Sequence, residues 1–87
     1  MIQAVHISDK DNCVTLPEAA AAGSTVCWRD GSGSIRTFTV HSDIPVWHKA
    51  AIRDIPAGDA VIKYGERIGT ALCDIRTGDH VHCHNVK

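Results

Sequence analysis

A repeated pattern in the second half of the chain limits what it can fold into. Residues 51–61 and 71–81 share the pattern A-[IL]-x-D-I-x-x-G-D-x-V at an interval of twenty residues. Each copy predicts a strand, a tight Gly-Asp turn and another strand, because glycine readily takes the positive φ that such turns require. A third, less regular copy ends at Gly23 and Val26. Repeated hairpins of this kind favour a compact, strongly bent β structure.

The first half of the chain carries strand patterns and almost no helical periodicity. Four stretches read as short strands, at residues 4–7, 13–16, 25–28 and 35–40. A flexible Gly/Ser loop at residues 30–34 joins the last two as a hairpin. The alanine run 19–22 has helix propensity but is too short to be stable on its own. The chain is therefore predicted to be one mostly β domain over residues 1–87.

Composition excludes several functional classes. A chain of 87 residues with a formal net charge of -1 can form one small core, but it cannot enclose a large active-site cavity alone. Its interspersed charges give no footprint for nucleic acid or for an acidic membrane surface. With no signal-like start and no membrane-length apolar run, a cytoplasmic location is expected. The four cysteines contain no C-x-x-C pair and are expected to be free thiols.

Three histidines alternate near the end of the chain, in the segment His80-Val81-His82-Cys83-His84-Asn85. In an extended strand these histidines would share one face. Either His80 with His82, or His82 with His84, could bind one metal ion. Three on one ion is less favourable, because the outer pair would lie roughly 13 Å apart along a straight strand. The alternative is a solvated face without a ligand, and any metal site here would need an outside ligand.

The second half also contains three motifs in a fixed order. They are His48-Lys49, Lys63-Tyr64-Gly65 and Gly78-Asp79-His80-Val81-His82 followed by His84-Asn85. In this combination the chain resembles the SAF domain of the altronate and galactarate dehydratase family, which includes sulfolactate sulfo-lyase. In that family the domain is an N-terminal module of a long chain or a separate small subunit. The resemblance implies a β-clip fold. One departure is Trp47, where the family has a glycine.

The resemblance implies elimination from a hydroxy acid. A base removes the proton α to a carboxylate and hydroxide or sulfite leaves from the β carbon, which requires a cation against the developing charge. The implied catalytic residues are His48, Lys49, His82 and His84. The implied substrate-binding residues are Lys63, Tyr64, Glu66 and Asn85. A divalent metal, iron in the partner-completed site, would be held among His80, His82 and His84, and no cofactor is assigned to the isolated domain.

Two functions of different class are compatible with these residues. In the first, the chain is the small subunit of a two-component lyase for a sugar acid or sulfolactate, inactive until a large subunit completes the site. In the second, it is a stand-alone, non-catalytic module that binds a sugar acid or another protein through the same polar face. An exposed β edge in so small a domain is suited to self-pairing, and thus to a homo-oligomer, as well as to partner binding, so the oligomeric state stays open.

Overall fold

A computed structural model describes all 87 residues, Met1–Lys87, as strands and turns without a helix. The eight strands are β1 (Ile2–Gln3), β2 (Cys13–Thr15), β3 (Thr25–Arg29), β4 (Ile35–Thr39), β5 (Lys49–Ala51), β6 (Ala60–Lys63), β7 (Glu66–Thr70) and β8 (His80–Val81). They form the sheets β1-β3-β4 and β2-β5-β8 and the hairpin β6-β7. The mostly β prediction is confirmed, and the alanine run is not helical. Nothing in the structure is a helix that is long and apolar enough to cross a membrane.

The turn that the sequence repeats occurs four times in the structure. In each copy the N–H of the fourth residue donates to the carbonyl of the first, and the third residue has a positive φ. The third residues are Gly23, Trp47, Gly58 and Gly78. A positive φ at this position is what a type II turn requires. The sequence pattern therefore identified three of the four turns and missed the copy at Trp47.

The four turns are joined in two pairs. One pair is built on the β-bridge between Ala20 and Ile44, and the other on the bridge between Ile55 and Ile75. In every turn the N–H of the third residue donates to a carbonyl that precedes the partner turn. These bonds run from Gly23 to Val40, Trp47 to Leu16, Gly58 to Ala71 and Gly78 to Ala51. Each turn is thus held by the strand that leads into its partner.

Trp47 keeps this turn although it is not a glycine. Its φ is 66°, against 89° at Gly58 and 93° at Gly78. The left-handed region costs a residue with a Cβ roughly 1–2 kcal/mol. The tryptophan therefore leaves the path of the backbone unchanged and places strain in the turn. His48, which follows it, takes the same turn position as Asp59 and Asp79.

The central sheet β2-β5-β8 separates two apolar cores. Val14 and Ala50 belong to the larger core, whereas their chain neighbours Cys13 and Ala51 belong to the smaller one. This division follows from strand geometry, since successive side chains point to opposite faces. β5 is the middle strand of the sheet, and its small alanines are fully buried on both faces.

The β6-β7 hairpin is fixed to the central sheet by the two polar residues before β2. The carboxylate of Asp11, which is 0% exposed, accepts hydrogen bonds from the N–H groups of Gly65 at 2.8 Å and Ser8 at 3.2 Å. The side chain of Asn12 both donates to and accepts from the backbone of β6. These two side chains set the position of the hairpin turn.

Replacing Asp11 by alanine is expected to lower the free energy of unfolding by roughly 1–3 kcal/mol, because buried N–H groups lose their acceptor. Urea denaturation monitored by tryptophan fluorescence measures this change. The matched control is Asp59→Ala, which removes an exposed carboxylate that makes no hydrogen bond and should change stability by less than about 0.5 kcal/mol. Equal stability of the two variants would contradict the role of Asp11.

Candidate functional site

The pairing of β5 with β8 brings histidines from two distant segments together. Lys49 lies opposite Val81 and Ala50 opposite His80. One residue further along this register, His48 faces His82, and their rings stack with centroids 4.0 Å apart and an interplanar angle of 13°. The ring of His80 lies 5.0 Å from that of His48. We refer to His48, His80 and His82 as the histidine cluster.

The ring nitrogens of the histidine cluster are close enough to share an ion. One nitrogen from each residue lies within 4.8 Å of the other two. Nδ1 of His48 and Nε2 of His80 are 2.8 Å apart and form a hydrogen bond, in which one ring donates and the other accepts. Two imidazole nitrogens on one ion stand roughly 3–4 Å apart, so small side-chain movements suffice. Imidazole suits iron, zinc, copper and nickel, and the cluster fits such an ion with positions left open.

The strand predicted across residues 80–84 ends at Val81, so that prediction is wrong beyond this residue. The chain then turns, and the side chain of Asn85 supplies the missing backbone partners. Its Oδ1 accepts from the N–H of His82 at 3.0 Å, and its Nδ2 donates to the carbonyl of His80 at 2.8 Å. The ring of His84 lies 4.9 Å from that of His80, but its nitrogens are not in the group that lies within 4.8 Å of one another, so it stands at the margin of the cluster. The third nitrogen within metal distance thus belongs to His48, not to His84.

The charges around the histidine cluster have one sign. Partial burial lowers the pKa of His80 from its ordinary value of 6.5, and the positive charges of His84, His48, His82 and Lys49 lower it further. Partial burial also lowers the pKa of His82, with added effects from His48 and Lys49. No carboxylate contributes to either shift. At neutral pH these two imidazoles are therefore uncharged, the form that binds metal.

The predicted substrate-binding residues lie apart from the cluster or are used by the fold. Lys63 is 2% exposed, and its ammonium group lies 4.2 Å from the centre of the Tyr64 ring. Tyr64 and Glu66 are exposed at the β6-β7 turn, and no hydrogen bond, ion pair or ring contact joins them to the cluster. The amide of Asn85 is committed to the backbone of its own turn. Lys63 and Asn85 are therefore buried parts of the fold, whereas Tyr64 and Glu66 are exposed at the hairpin turn.

The charges of Lys49 and Lys63, on different strands, both act on the buried thiol of Cys13. Burial raises the pKa of Cys13 to about 11, and the charges of both lysines act against this rise. All four cysteines are free, as the sequence predicted. The thiol of Cys13 is therefore protonated and unreactive at neutral pH.

The family resemblance implies a catalytic role for His48 and does not group it with the metal ligands. A usable signal was present, because Asp43-Ile44-Pro45 recurs as Asp54-Ile55-Pro56 eleven residues later. This further copy of the repeat aligns Trp47-His48 with the Gly-Asp turns. It would have placed His48 in the turn that pairs with the histidine segment.

Comparison with known proteins identifies the family. A family model described as the altronate/galactarate dehydratase SAF domain matches residues 2–87. The chain belongs to this SAF domain family. The prediction made from the motifs is thereby confirmed.

Two relatives show the contexts in which this SAF domain occurs. The chain is 40% identical over 84 residues to (2R)-sulfolactate sulfo-lyase subunit alpha of Chromohalobacter salexigens, covering 95% of this chain and 89% of that protein. It is 40% identical over 86 residues to altronate dehydratase of Escherichia coli, covering 99% of this chain but 16% of that protein. The domain is therefore nearly the whole of one relative and a small part of the other.

A cavity larger than the groove beside His82 lies away from the histidine cluster. It measures about 500 Å³ and is lined by His6, Trp28 and several charged side chains. Its charges are used internally, since Arg36 is paired with Asp30 at 2.8 Å and Asp9 accepts the N–H of Gly31. Only Nε2 of His6 is buried without a hydrogen-bond partner.

The lowered pKa values predict how the stability of the metal-free chain depends on pH. Between the folded pKa of His80 and His82 and the ordinary value of 6.5, the unfolded chain binds more protons. The free energy of unfolding should therefore rise as the pH increases toward the ordinary value of 6.5 and level off above it. The lowered pKa of Asp54 acts only near and below its ordinary value of 3.8, outside this window. Urea denaturation in the presence of a chelator measures the trend.

The double variant His80→Gln/His82→Gln is the comparison for this pH dependence. It should show a smaller rise in stability than the wild-type chain over the same range. An unchanged rise, or a wild-type stability that falls toward neutral pH, would refute the attribution of the pH dependence to His80 and His82.

A second prediction separates His48 from His84 as the third ligand. Zn²⁺ or Ni²⁺ should raise the Tm of the metal-free chain, because an ion that binds only the folded state stabilises it. His48→Gln should remove most of this increase, whereas His84→Gln should retain it. Differential scanning fluorimetry across a metal titration measures both. A loss of the increase with His84→Gln alone would restore the ligand set predicted from the sequence.

Proposed function

We propose that the chain is the small subunit of a two-component hydroxy-acid lyase. Such an enzyme would release water from a sugar acid, as an altronate or galactarate dehydratase does, or sulfite from a sulfolactate-type substrate. The observation that carries the proposal is the histidine cluster, three converging imidazoles beside Lys49 with no carboxylate acting on them. The names of the relatives, a sulfo-lyase subunit alpha and an altronate dehydratase, support the same reaction class.

The small size of the groove beside the histidine cluster supports the need for a partner. The groove beside the cluster, lined by Lys49, Ile68, His82 and Cys83 among others, measures about 240 Å³. Ligand pockets usually measure roughly 300–1,000 Å³ and enclose most of the ligand. A sugar acid in this groove would stay largely in water, where electrostatic stabilisation is weak. A large subunit of the same family would supply the remaining walls and ligands, and the chain alone would be inactive.

Each residue near the cluster has a proposed role. His48, His80 and His82 hold a divalent metal, iron by analogy with the family, and Asn85 positions two of them through the backbone. When bound, the metal supplies positive charge against the negative charge that develops beside the substrate carboxylate. The ammonium group of Lys49 binds that carboxylate.

His84 is the proposed proton-transfer residue. It is exposed at the margin of the cluster and is not needed as a ligand. It can therefore exchange a proton with the leaving group while the cluster holds the metal. Removal of the proton α to the carboxylate is assigned to the large subunit. Tyr64 and Glu66, exposed on the hairpin that carries Lys63, remain candidates for contact with the distal part of the substrate.

The test is reconstitution. The isolated chain should turn over neither sulfolactate, altronate nor galactarate, measured as sulfite release or 2-keto acid formation. With its large subunit, activity should appear on one of these substrates. His48→Gln and His82→Gln should then lower kcat by about 100-fold or more. The control is His6→Gln, which changes a histidine of the other cavity. Its kcat should stay within about threefold of wild type, a much smaller change than that expected for the cluster variants. Turnover by the isolated chain would refute the two-component assignment.

The second candidate function is a non-catalytic module that binds a sugar acid. The cavity of about 500 Å³, lined by His6 and by charged side chains, is the observation that favours it. Under this alternative, a sugar acid would bind the isolated chain in calorimetry and His6→Gln would weaken binding. His82→Gln would leave that binding unchanged. These variants therefore separate the two functions.

A further inference from the structure

An exposed, strained aromatic residue stands immediately before the histidine cluster. The side chain of Trp47 is 65% exposed, and that of its neighbour Val46 is 47% exposed. The three equivalent turns have glycine at this position, with no side chain at all. The fold accommodates a positive φ at Trp47 although a glycine would form the same turn without strain.

The indole contributes little to the stability of the isolated chain. It makes no hydrogen bond and no aromatic or cation–π contact, and it belongs to neither apolar core. Backbone strain that the fold itself does not need is concentrated at functional positions in proteins. The strain at Trp47 therefore calls for a function outside the isolated chain.

The turn presents its apolar residues rigidly. The N–H of Trp47 donates to the carbonyl of Leu16 at 2.7 Å, and the N–H of His48 donates to that of Pro45 at 3.2 Å. The backbone has little freedom left to lose, so a partner that binds here would meet a small entropic cost. Tryptophan is also the residue type most enriched among those that dominate binding energy at protein interfaces.

We propose that Trp47, together with Val46, is the anchor by which this chain docks on the large subunit of the lyase. This proposal rests on the function proposed above. The large subunit is the occupant because it must approach His48 to complete the site, and Trp47 is the adjacent residue of the same turn. The E. coli altronate dehydratase, of which the matched region is 16%, supports a large body beside the SAF domain. A sugar acid is too polar to match an exposed indole and valine.

The experiment compares three variants of the full chain, using as partner the large subunit that restores lyase activity to it. Trp47→Ala removes the indole and retains a Cβ at positive φ, whereas Trp47→Gly removes both. Ile35→Ala, on β4 of another sheet, removes an apolar side chain of similar exposure, 58%. Binding is measured by calorimetry or biolayer interferometry, stability by Tm, and kcat at saturating partner.

The two Trp47 variants should each weaken partner binding by about 30-fold or more, the loss typical of an interface anchor. Only Trp47→Gly should raise the Tm of the isolated chain, by roughly 4 °C or more, since it alone relieves the strain. Ile35→Ala should change binding by less than about twofold, as expected outside an interface. At saturating partner, kcat of Trp47→Ala should stay within about threefold of wild type, because no transition-state contact is lost.

Three results would overturn the proposal. Unchanged partner binding in Trp47→Ala would refute the anchor while leaving the proposed function intact. A large loss of kcat at saturating partner would move Trp47 to the substrate site. A concentration-dependent dimer of the wild-type chain that Trp47→Ala abolishes would identify a second copy as the occupant. By contrast, if no large subunit of the family restored lyase activity to the wild-type chain, the proposed function itself would be refuted.

Discussion

The structure depends on one backbone constraint, a turn whose third residue has a positive φ and donates its N–H to the strand before a partner turn. Four such turns, at Gly23, Trp47, Gly58 and Gly78, are locked in two pairs. Because each turn is held by the strand that leads into its partner, the strands can be very short and still have a fixed register. The buried alanines of β5 let both cores close on the central sheet. A chain this small thereby obtains a rigid frame from hydrogen-bonded turns rather than from long strands.

The histidine cluster is a direct consequence of that frame. The turn at Trp47 ends with His48 and leads into β5, and the turn at Gly78 leads into β8. The antiparallel pairing of these two strands then sets His48 opposite His82, with His80 alongside. The cluster thus lies on hydrogen-bonded backbone rather than on a free loop. Such placement limits the reorganisation needed when a ligand binds.

The sequence predicted the parts that depend on local chemistry and missed those that depend on long-range pairing. Gly23, Gly58 and Gly78 identified three turns, because glycine at positive φ has a recognisable local signature. Trp47 hid the fourth, since nothing local to a tryptophan indicates positive φ. The alternation of His80, His82 and His84 predicted a longer strand than exists, because the amide of Asn85 takes over the backbone hydrogen bonds. No periodicity could show that a side chain would end the ladder.

The electrostatics of the cluster support the proposed need for a partner. A divalent ion beside Lys49 would concentrate positive charge at a site where no carboxylate of this chain acts. The acidic residues of the turns that precede the cluster segments serve the fold. Asp79 bonds to His41 and caps its own turn, and Asp54 accepts from Thr77 across the turn pair. Under the proposed function, the compensating negative charge would come from the substrate carboxylate or from the large subunit. Binding of metal, substrate and partner would then be mutually dependent, because each supplies charge or enclosure that the others require.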